Sequence, residues 1–134
     1  MKIFKNNFNW TALVFGLIVL DQLSKFIFVK YFENLVFYNR GIAFSISVPI
    51  YLVILLAVTI CLIIGYLKYK NLLGHDYIWA FFIAGSIGNL IDRVRLQAVI
   101  DFINLGWFPV FNIADILLTV SAFLIAYFYI LKAE

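Results

Sequence analysis

The stretch Ile50–Leu67, which reads IYLVILLAVTICLIIGYL, decides the fold class because it contains no charged residue. A helix needs about 20 successive apolar residues to cross the hydrocarbon core of a bilayer. Pro49 stands just before the stretch, where the first turn of a helix tolerates a proline. The sequence therefore predicts a transmembrane helix here, and its lack of charge indicates a scaffold role.

The composition extends this prediction to the whole chain. Of its 134 residues, 66% are hydrophobic and 13% are charged, whereas a soluble domain averages about 45–50% apolar and about 25% charged residues. A single soluble core could not bury this much apolar surface, so we expect an all-α integral membrane protein. The net charge of +3 is too scattered to indicate a nucleic-acid partner, and the single Cys61 excludes an intrachain disulfide.

Further apolar segments predict a four-transmembrane-helix bundle that forms one domain over residues 1–134. The four spans are expected at about 10–29, 50–67, 77–91 and 110–131. Lys2 and Lys5 precede the first span as in a signal peptide, but no small-residue cleavage site follows, so we expect a retained span.

The loop at about 30–48 is the longest connection, and it contains the only strand signal. Leu35–Tyr38 is aromatic and β-branched, and Asn39–Gly41 follows it as a turn. We expect a short strand there, within a small extracytoplasmic β/loop platform. The connection at 68–76 is predicted to be a plain hairpin loop.

The Lys/Arg bias of the loops, which normally orients a membrane protein, divides five against five between the two faces. Setting aside Lys25 and Arg93 as residues inside helix ends favours both termini in the cytoplasm. Four spans must also alternate in direction, so one face receives the ends of spans one and three and the starts of spans two and four. The polar residues gather at that face, namely Asp21, Lys25, Asn39, Arg40, Asn89, Asp92, Arg93, Asp101, Asn112 and Asp115.

Helical spacing groups these polar residues further, because residues three or four apart share a helix face. Asp21 with Lys25, Asn89 with Arg93, and Asn112 with Asp115 have this spacing. Gly85 and Gly88 in span three are small enough to let a neighbouring helix approach closely.

Several kinds of chemistry fit this polar face poorly. The only histidine, His75, is predicted on the opposite face, which disfavours a metal site and a Ser–His or Cys–His nucleophile. Ser24 and Lys25 are adjacent on a helix and point about 100° apart, so a Ser–Lys pair is a weak alternative. Two aspartates, Asp101 and Asp115, suffice for peptide hydrolysis without a cofactor when they share one proton.

Each of these residues also has a structural interpretation. Asp101 could be a solvated loop carboxylate, and Asp115 could serve only the positive end of a helix dipole. Asp92 could pair with Arg93 or Arg95 as an interface charge, and Asn112 could either orient Asp115 or cap the helix. At the level of function, an ion or proton carrier and a non-catalytic assembly factor remain alternatives to a protease.

Five motifs, in this order along the chain, resemble those of the bacterial lipoprotein signal peptidases, the type II signal peptidases. They are Asp21–Lys25 (DQLSK), Asn39–Phe44 (NRGIAF), Ala84–Arg93 (AGSIGNLIDR), Val99–Phe102 (VIDF) and Phe111–Asp115 (FNIAD). Ala84 and Ser86 depart from the family's usual Gly and Ala, but both are still small.

The resemblance implies a membrane aspartic endopeptidase with Asp101 and Asp115 as its catalytic pair. It implies a substrate, a prolipoprotein whose diacylglyceryl-modified cysteine directly follows the cleaved bond. It also implies a site at the outer face of the cytoplasmic membrane, in contact with phospholipid, in a protein that we expect to be monomeric and free of metal and cofactor. The expected site-supporting residues are Asp21, Lys25, Asn39, Gly41, Asn89, Arg93, Asn112 and Ala114.

Overall fold

The structure, a computed structural model, describes residues 9–41, 49–70 and 75–131. Residues 71–74 of the hairpin loop predicted at 68–76, the end of the second motif at 42–44, and the flanking Lys2 and Lys5 lie outside them. The helices are α1 (Trp10–Tyr31), α2 (Ile50–Tyr69), α3 (Asp76–Leu96) and α4 (Ile113–Ile125), and α4 continues as a π-helical segment over Ala126–Leu131. The strands are β1 (Phe37–Asn39) and β2 (Val99–Asp101).

Burial along α1 is the reverse of that in a soluble helix. Its buried residues are Asp21 and Lys25, whereas Phe15, Leu23 and Phe26 each expose more than half of their surface. Such a helix is stable only where the surrounding solvent is apolar. By length and composition, α1 and α2 are the helices of the described chain that could cross a bilayer, and Ile113–Phe128 is a shorter apolar helix.

Helix α3 is central and packs against α1, α2 and α4. Two glycines allow the close approach, as the sequence predicted. A Cβ atom on Gly85 would lie 2.6 Å from the Ala114 carbonyl oxygen, and one on Gly88 would lie 2.5 Å from Asp21 Oδ2. No heavier residue fits at either position without moving a neighbour.

Two predicted helix ends are corrected by local backbone geometry. The third helix was expected to end near residue 91 but continues to Leu96, where Gln97 adopts a left-handed conformation with φ 54° and its N–H bonds to the Arg93 carbonyl. The fourth was expected from residue 110 but begins at Ile113, because Asn112 and Asp115 form a reciprocal capping box.

The β/loop platform contains an antiparallel two-stranded ribbon. Its register pairs Phe37 with Asp101, Tyr38 with Ile100 and Asn39 with Val99. The predicted strand at 35–38 is therefore displaced, since Leu35 ends a 3-10 turn that begins at Glu33. Strand β2 was not predicted, because its pairing joins segments about 60 residues apart in sequence.

Candidate active site

Asp101 and Asp115 come together although one lies on β2 and the other in the first turn of α4. Asn112 joins them. Its Nδ2 donates to Asp101 Oδ1 at 2.7 Å, its Oδ1 accepts the Asp115 N–H at 2.9 Å, and its own N–H donates to Asp115 Oδ2 at 3.1 Å. Both roles considered for Asn112, helix cap and orienting group, are therefore filled by one side chain.

Asn89 on α3 holds Asp115 from the other side. Its Nδ2 donates to Asp115 Oδ1 at 2.9 Å, and its Oδ1 accepts from Lys25 Nζ at 3.3 Å and from Asn112 Nδ2 at 3.1 Å. Only one orientation of the Asn89 amide satisfies a cation on one side and a carboxylate on the other. Because Lys25 bonds to the side-chain oxygen of Asn89, the side-chain nitrogen of Asn89 faces Asp115 and donates to it.

The end of β1 and the turn that follows it hold the Asp101 carboxylate. Asn39 Nδ2 donates to Asp101 Oδ2 at 3.2 Å, while Asn39 Oδ1 accepts the Gly41 N–H at 2.9 Å. Arg93 Nη2 donates to the Gly41 carbonyl at 3.1 Å. Asn39, Gly41 and Arg93 thus form a chain of hydrogen bonds from α3 to Asp101.

A buried ion triad lies beside this pair. Lys25 Nζ is 2.8 Å from Asp21 Oδ2 and 2.8 Å from Asp92 Oδ2, and all three side chains are at most 1% exposed. The expected pairing of Asp92 with Arg93 or Arg95 is wrong, because Lys25 reaches Asp92 from α1. A buried carboxylate needs a cation or several donors, and Lys25 supplies the cation.

The triad also holds the backbone next to each member of the aspartate pair. Asp92 Oδ2 accepts the N–H of Ile100 at 3.1 Å, and Asp21 Oδ1 accepts the N–H of Ala114 at 2.9 Å. Ile100 directly precedes Asp101, and Ala114 directly precedes Asp115. Ala114 thus contributes its backbone, and its fully buried methyl group packs near Gly88.

Gln22 is a site residue that the sequence reasoning passed over. Its Nε2 lies 3.2 Å from Asp21 Oδ2, 3.1 Å from Asp92 Oδ1 and 3.1 Å from the Gly88 carbonyl. The first motif contained the signal, because Gln22 stands between Asp21 and Lys25. Asp21 and Lys25 were predicted as site residues and Gln22 was not, because a residue adjacent to Asp21 on a helix normally points in a different direction.

The electrostatics of the pair favour retention of a proton. Burial and the nearby Asp115 carboxylate raise the pKa of Asp101 to about 6. Hydrogen bonds from Asn39 and Asn112, and the charge of Lys25, act in the opposite direction and lower that pKa.

The alternative chemistries have no counterpart in the described geometry. Within residues 9–41, 49–70 and 75–131, no group of three or more His, Cys, Asp or Glu side chains is arranged to hold a metal ion. His75 precedes α3 at the other end of that helix and stacks on Phe128. The Ser24 hydroxyl donates to the Asp21 carbonyl at 2.7 Å.

An apolar cavity of about 280 Å³ opens beside Asp115. Its walls are mostly aliphatic and aromatic side chains of the connector between β2 and α4 and of α4 itself. They are Leu105, Trp107, Phe108, Phe111, Ile116, Thr119 and Val120. Trp107 is 82% exposed at its rim, so the connector presents aromatic surface next to a carboxylate.

Comparison with known proteins gives one consistent family. The family model described as Signal peptidase (SPase) II matches residues 13–131. A lipoprotein signal peptidase of Caldanaerobacter subterraneus subsp. tengcongensis is 36% identical, with 90% of this chain and 95% of that protein aligned. One of Rickettsia akari is 34% identical, with 86% of this chain and 71% of that protein aligned.

Two solved structures described as bacterial membrane enzymes share the fold. The first superposes with a TM-score of 0.80 at 24% identity, covering 93% of this chain and 89% of that one. The second has a TM-score of 0.76 at 25% identity, covering 90% and 92% of the two chains. The predicted helical membrane fold is therefore confirmed.

Proposed function

The chain belongs to the signal peptidase II family of proteases, and we propose that it cleaves signal peptides from prolipoproteins with Asp101 and Asp115 as its catalytic pair. The observation that carries the proposal is that Asn112 hydrogen-bonds to both carboxylates, through its side-chain amide to Asp101 and through its backbone N–H to Asp115. Such a bridge fixes two carboxylates from distant segments in one geometry, which is what catalysis by a positioned acid and base requires.

The mechanism follows from one proton shared by the pair. The ionised carboxylate removes a proton from a water molecule as the water oxygen attacks the scissile carbonyl carbon. The protonated carboxylic acid donates a hydrogen bond to the carbonyl oxygen, where negative charge develops. The proton taken from water then passes to the leaving amine as the C–N bond breaks. The raised pKa of Asp101, about 6, suits it to the protonated role.

The surrounding residues would keep this geometry without competing for the chemistry. Asn39, Asn89 and Asn112 donate neutral hydrogen bonds to the pair. Hydrogen bonds from neutral donors also favour the ionised form of a carboxylate, but less strongly than a direct ion pair with a cation would. Arg93 and Gly41 hold Asn39 in place.

The apolar cavity supports a substrate that carries lipid. A diacylglyceryl group on the cysteine after the cleaved bond would lie along the Trp107 and Phe108 side of the cavity, close to Asp115. Each buried methylene contributes about 0.8 kcal/mol to binding. We therefore propose that the enzyme cuts directly before a diacylglyceryl-modified cysteine.

The proposed setting is the bacterial cytoplasmic membrane. One domain would cross it four times with both termini in the cytoplasm, as a monomer. The catalytic pair would then lie near the outer face, where a lipid-anchored precursor arrives sideways and water is available.

The test is replacement of each aspartate by asparagine, followed by cleavage of a diacylglyceryl-prolipoprotein. Asp101→Asn and Asp115→Asn should each lower the rate by about 10³-fold or more, because removing one member of a catalytic unit removes most of its effect. Both variants should keep the wild-type unfolding temperature in detergent to within a few degrees.

Glu33→Gln is the matched control, because Glu33 is an exposed carboxylate in the turn just after α1. It should cleave at the wild-type rate. Wild-type activity in either aspartate variant would remove that residue from the mechanism.

A further inference from the structure

A second cavity, of about 170 Å³, lies away from the aspartate pair. Its walls come from the ends of α1 and α3 and from the two-stranded ribbon. They are Gln22, Lys25, Phe26, Val29, Tyr38, Arg95, Leu96 and Ile100. The proposed mechanism uses neither this cavity nor Arg95.

The ribbon separates the second cavity from the aspartate pair. Tyr38 and Ile100 are partners in the strand register, so their side chains leave the same face of the ribbon. Neighbouring residues on a strand point to opposite faces, which directs Asp101 away from that face. The cavity therefore lies on the opposite face of the ribbon from Asp101, although Gln22 and Lys25 of its lining also contact the carboxylates of the ion triad.

The side chains that line the cavity include two cations and no acid. Lys25 is paired with Asp21 and Asp92 within the ion triad, so Arg95 is the lining cation that remains available to a ligand. Arg95 lines it from the last turn of α3. Lys30 is not a lining residue but lies one helical turn after Phe26, with its Nζ 5.6 Å from the Phe26 ring centroid and 5.2 Å from the Tyr31 ring centroid. Among the residues that the structure describes, no salt bridge involves Arg95 or Lys30.

The mouth of the cavity is apolar although two cations stand beside it. Phe26, Tyr38 and Leu96 each line the cavity and are between 42% and 58% exposed. A free inorganic anion gains nothing from such a rim, whereas a phospholipid has both a charged head and acyl chains. Arg95 and Lys30 are also in the last turns of their helices, where cations commonly meet membrane headgroups.

We propose that this cavity binds the headgroup of an anionic phospholipid, with its phosphate held by Arg95 and Lys30 and its acyl chains beside Phe26 and Leu96. A guanidinium can donate two parallel hydrogen bonds to a phosphate, which makes Arg95 the principal contact. The bound lipid is a component of the bilayer and is distinct from the substrate of the proposed protease.

The experiment measures lipid retention by native mass spectrometry of the purified protein titrated with phosphatidylglycerol or phosphatidylcholine. Wild-type protein should retain phosphatidylglycerol preferentially. Arg95→Gln should weaken that retention by about five-fold, the effect of one cation near an anionic headgroup. Lys70→Gln is the charge-matched control, because Lys70 is an exposed cation just after α2 and away from this cavity.

A second pair of variants tests the cavity without changing charge. Val29→Phe fills the cavity and should also weaken phosphatidylglycerol retention, whereas Leu23→Phe, at an exposed position of α1 outside it, should not. Three results would each overturn the proposal. They are equal retention of the two lipids, equal losses in a variant and its control, and displacement of phosphatidylglycerol by excess inorganic phosphate.

Discussion

Two pairs of aspartates lie in the polar end of the bundle, and they differ in the groups that hold them. Asp21 and Asp92 each contact the ammonium of Lys25 at 2.8 Å. Asp101 and Asp115 instead receive hydrogen bonds from the neutral amides of Asn39, Asn89 and Asn112. Both kinds of partner favour the charged form of a carboxylate, and an ammonium in direct contact does so more strongly than a neutral amide. These contacts suit the first pair to a structural role and leave the second pair for the proton transfer that we propose.

The first pair also supports the second. Asp92 and Asp21 accept the backbone N–H groups of Ile100 and Ala114, which directly precede the two residues of the proposed catalytic pair. A carboxylate that is held in its charged form is the stronger acceptor for a backbone N–H. The ion triad thereby holds the backbone directly before Asp101 and Asp115.

The largest expected effect comes from breaking the ion triad. Lys25→Met leaves two buried carboxylates without their cation, and we expect a loss of about 3–5 kcal/mol in unfolding free energy. The measurement is thermal unfolding in detergent. Lys30→Met, at an exposed lysine of the same helix, is the control and should unfold like wild type. An unchanged unfolding temperature in Lys25→Met would mean that the triad does not stabilise the fold.

A smaller loss of stability is expected when an added methyl group crowds the triad but leaves its ion pairs in place. An alanine Cβ at Gly88 would lie 2.5 Å from Asp21 Oδ2, so Gly88→Ala should cost about 1–3 kcal/mol of stability. Gly16→Ala is the matched control, because a Cβ there meets nothing within 4 Å. It should be neutral or slightly stabilising, since alanine is the better helix former. Equal effects at both glycines would show that close packing at Gly88 is unimportant.

The two roles of Asn112 can be separated by comparing two variants. Asn112→Ala removes the helix cap and should cost about 1 kcal/mol of stability. Asn112→Ser restores the cap, because serine is also a good N-cap, but its short side chain cannot reach Asp101. We expect Asn112→Ser to recover most of the stability and little of the proteolytic rate. Recovery of both together would show that only the cap matters.

The smallest expected effect is a shift in the pH profile. The pair must keep one proton, so activity should fall as the pH rises through about 6, the pKa of Asp101. Asn39 donates to the charged form of Asp101 and lowers that pKa. Asn39→Ala should therefore move the falling limb to higher pH, by about 0.5–1 unit for one lost hydrogen bond.

The pH experiment needs a control that leaves the pair intact. Asn104→Ala serves, because the Asn104 side chain contacts the Gly106 N–H in the exposed connector. Its pH profile should match that of the wild type. If activity falls at a lower pH in Asn39→Ala than in the wild type, the hydrogen bond from Asn39 does not lower the pKa of Asp101.

The membrane fold could be read from the sequence because it depends on composition over long segments. The uncharged span α2 and the apolar span α1 lie close to their predicted bounds. The helix ends at Leu96 and Ile113 were missed, since each depends on one residue's backbone conformation or on one reciprocal cap. Such local features are short and are easily overridden in sequence reasoning.

The candidate site was only partly predictable for a similar reason. Spacing correctly grouped Asp21 with Lys25 and Asn112 with Asp115, because those contacts stay within one helix turn. The partner of Asp92 was assigned wrongly, since Lys25 lies on another helix. Strand β2 was missed because its hydrogen bonds go to a strand far away in sequence.

By itself, the sequence determined that lipid surrounds this protein and which chemical groups the protein has available. An apolar surface of this extent requires lipid, and the polar residues needed only alternating helices to collect at one face. The tertiary structure alone decided which carboxylates contact a cation and which receive hydrogen bonds from amides. That distinction depends on whether a cation or an amide lies within about 3 Å, a distance set by the packing of α1 and α3 around Gly88.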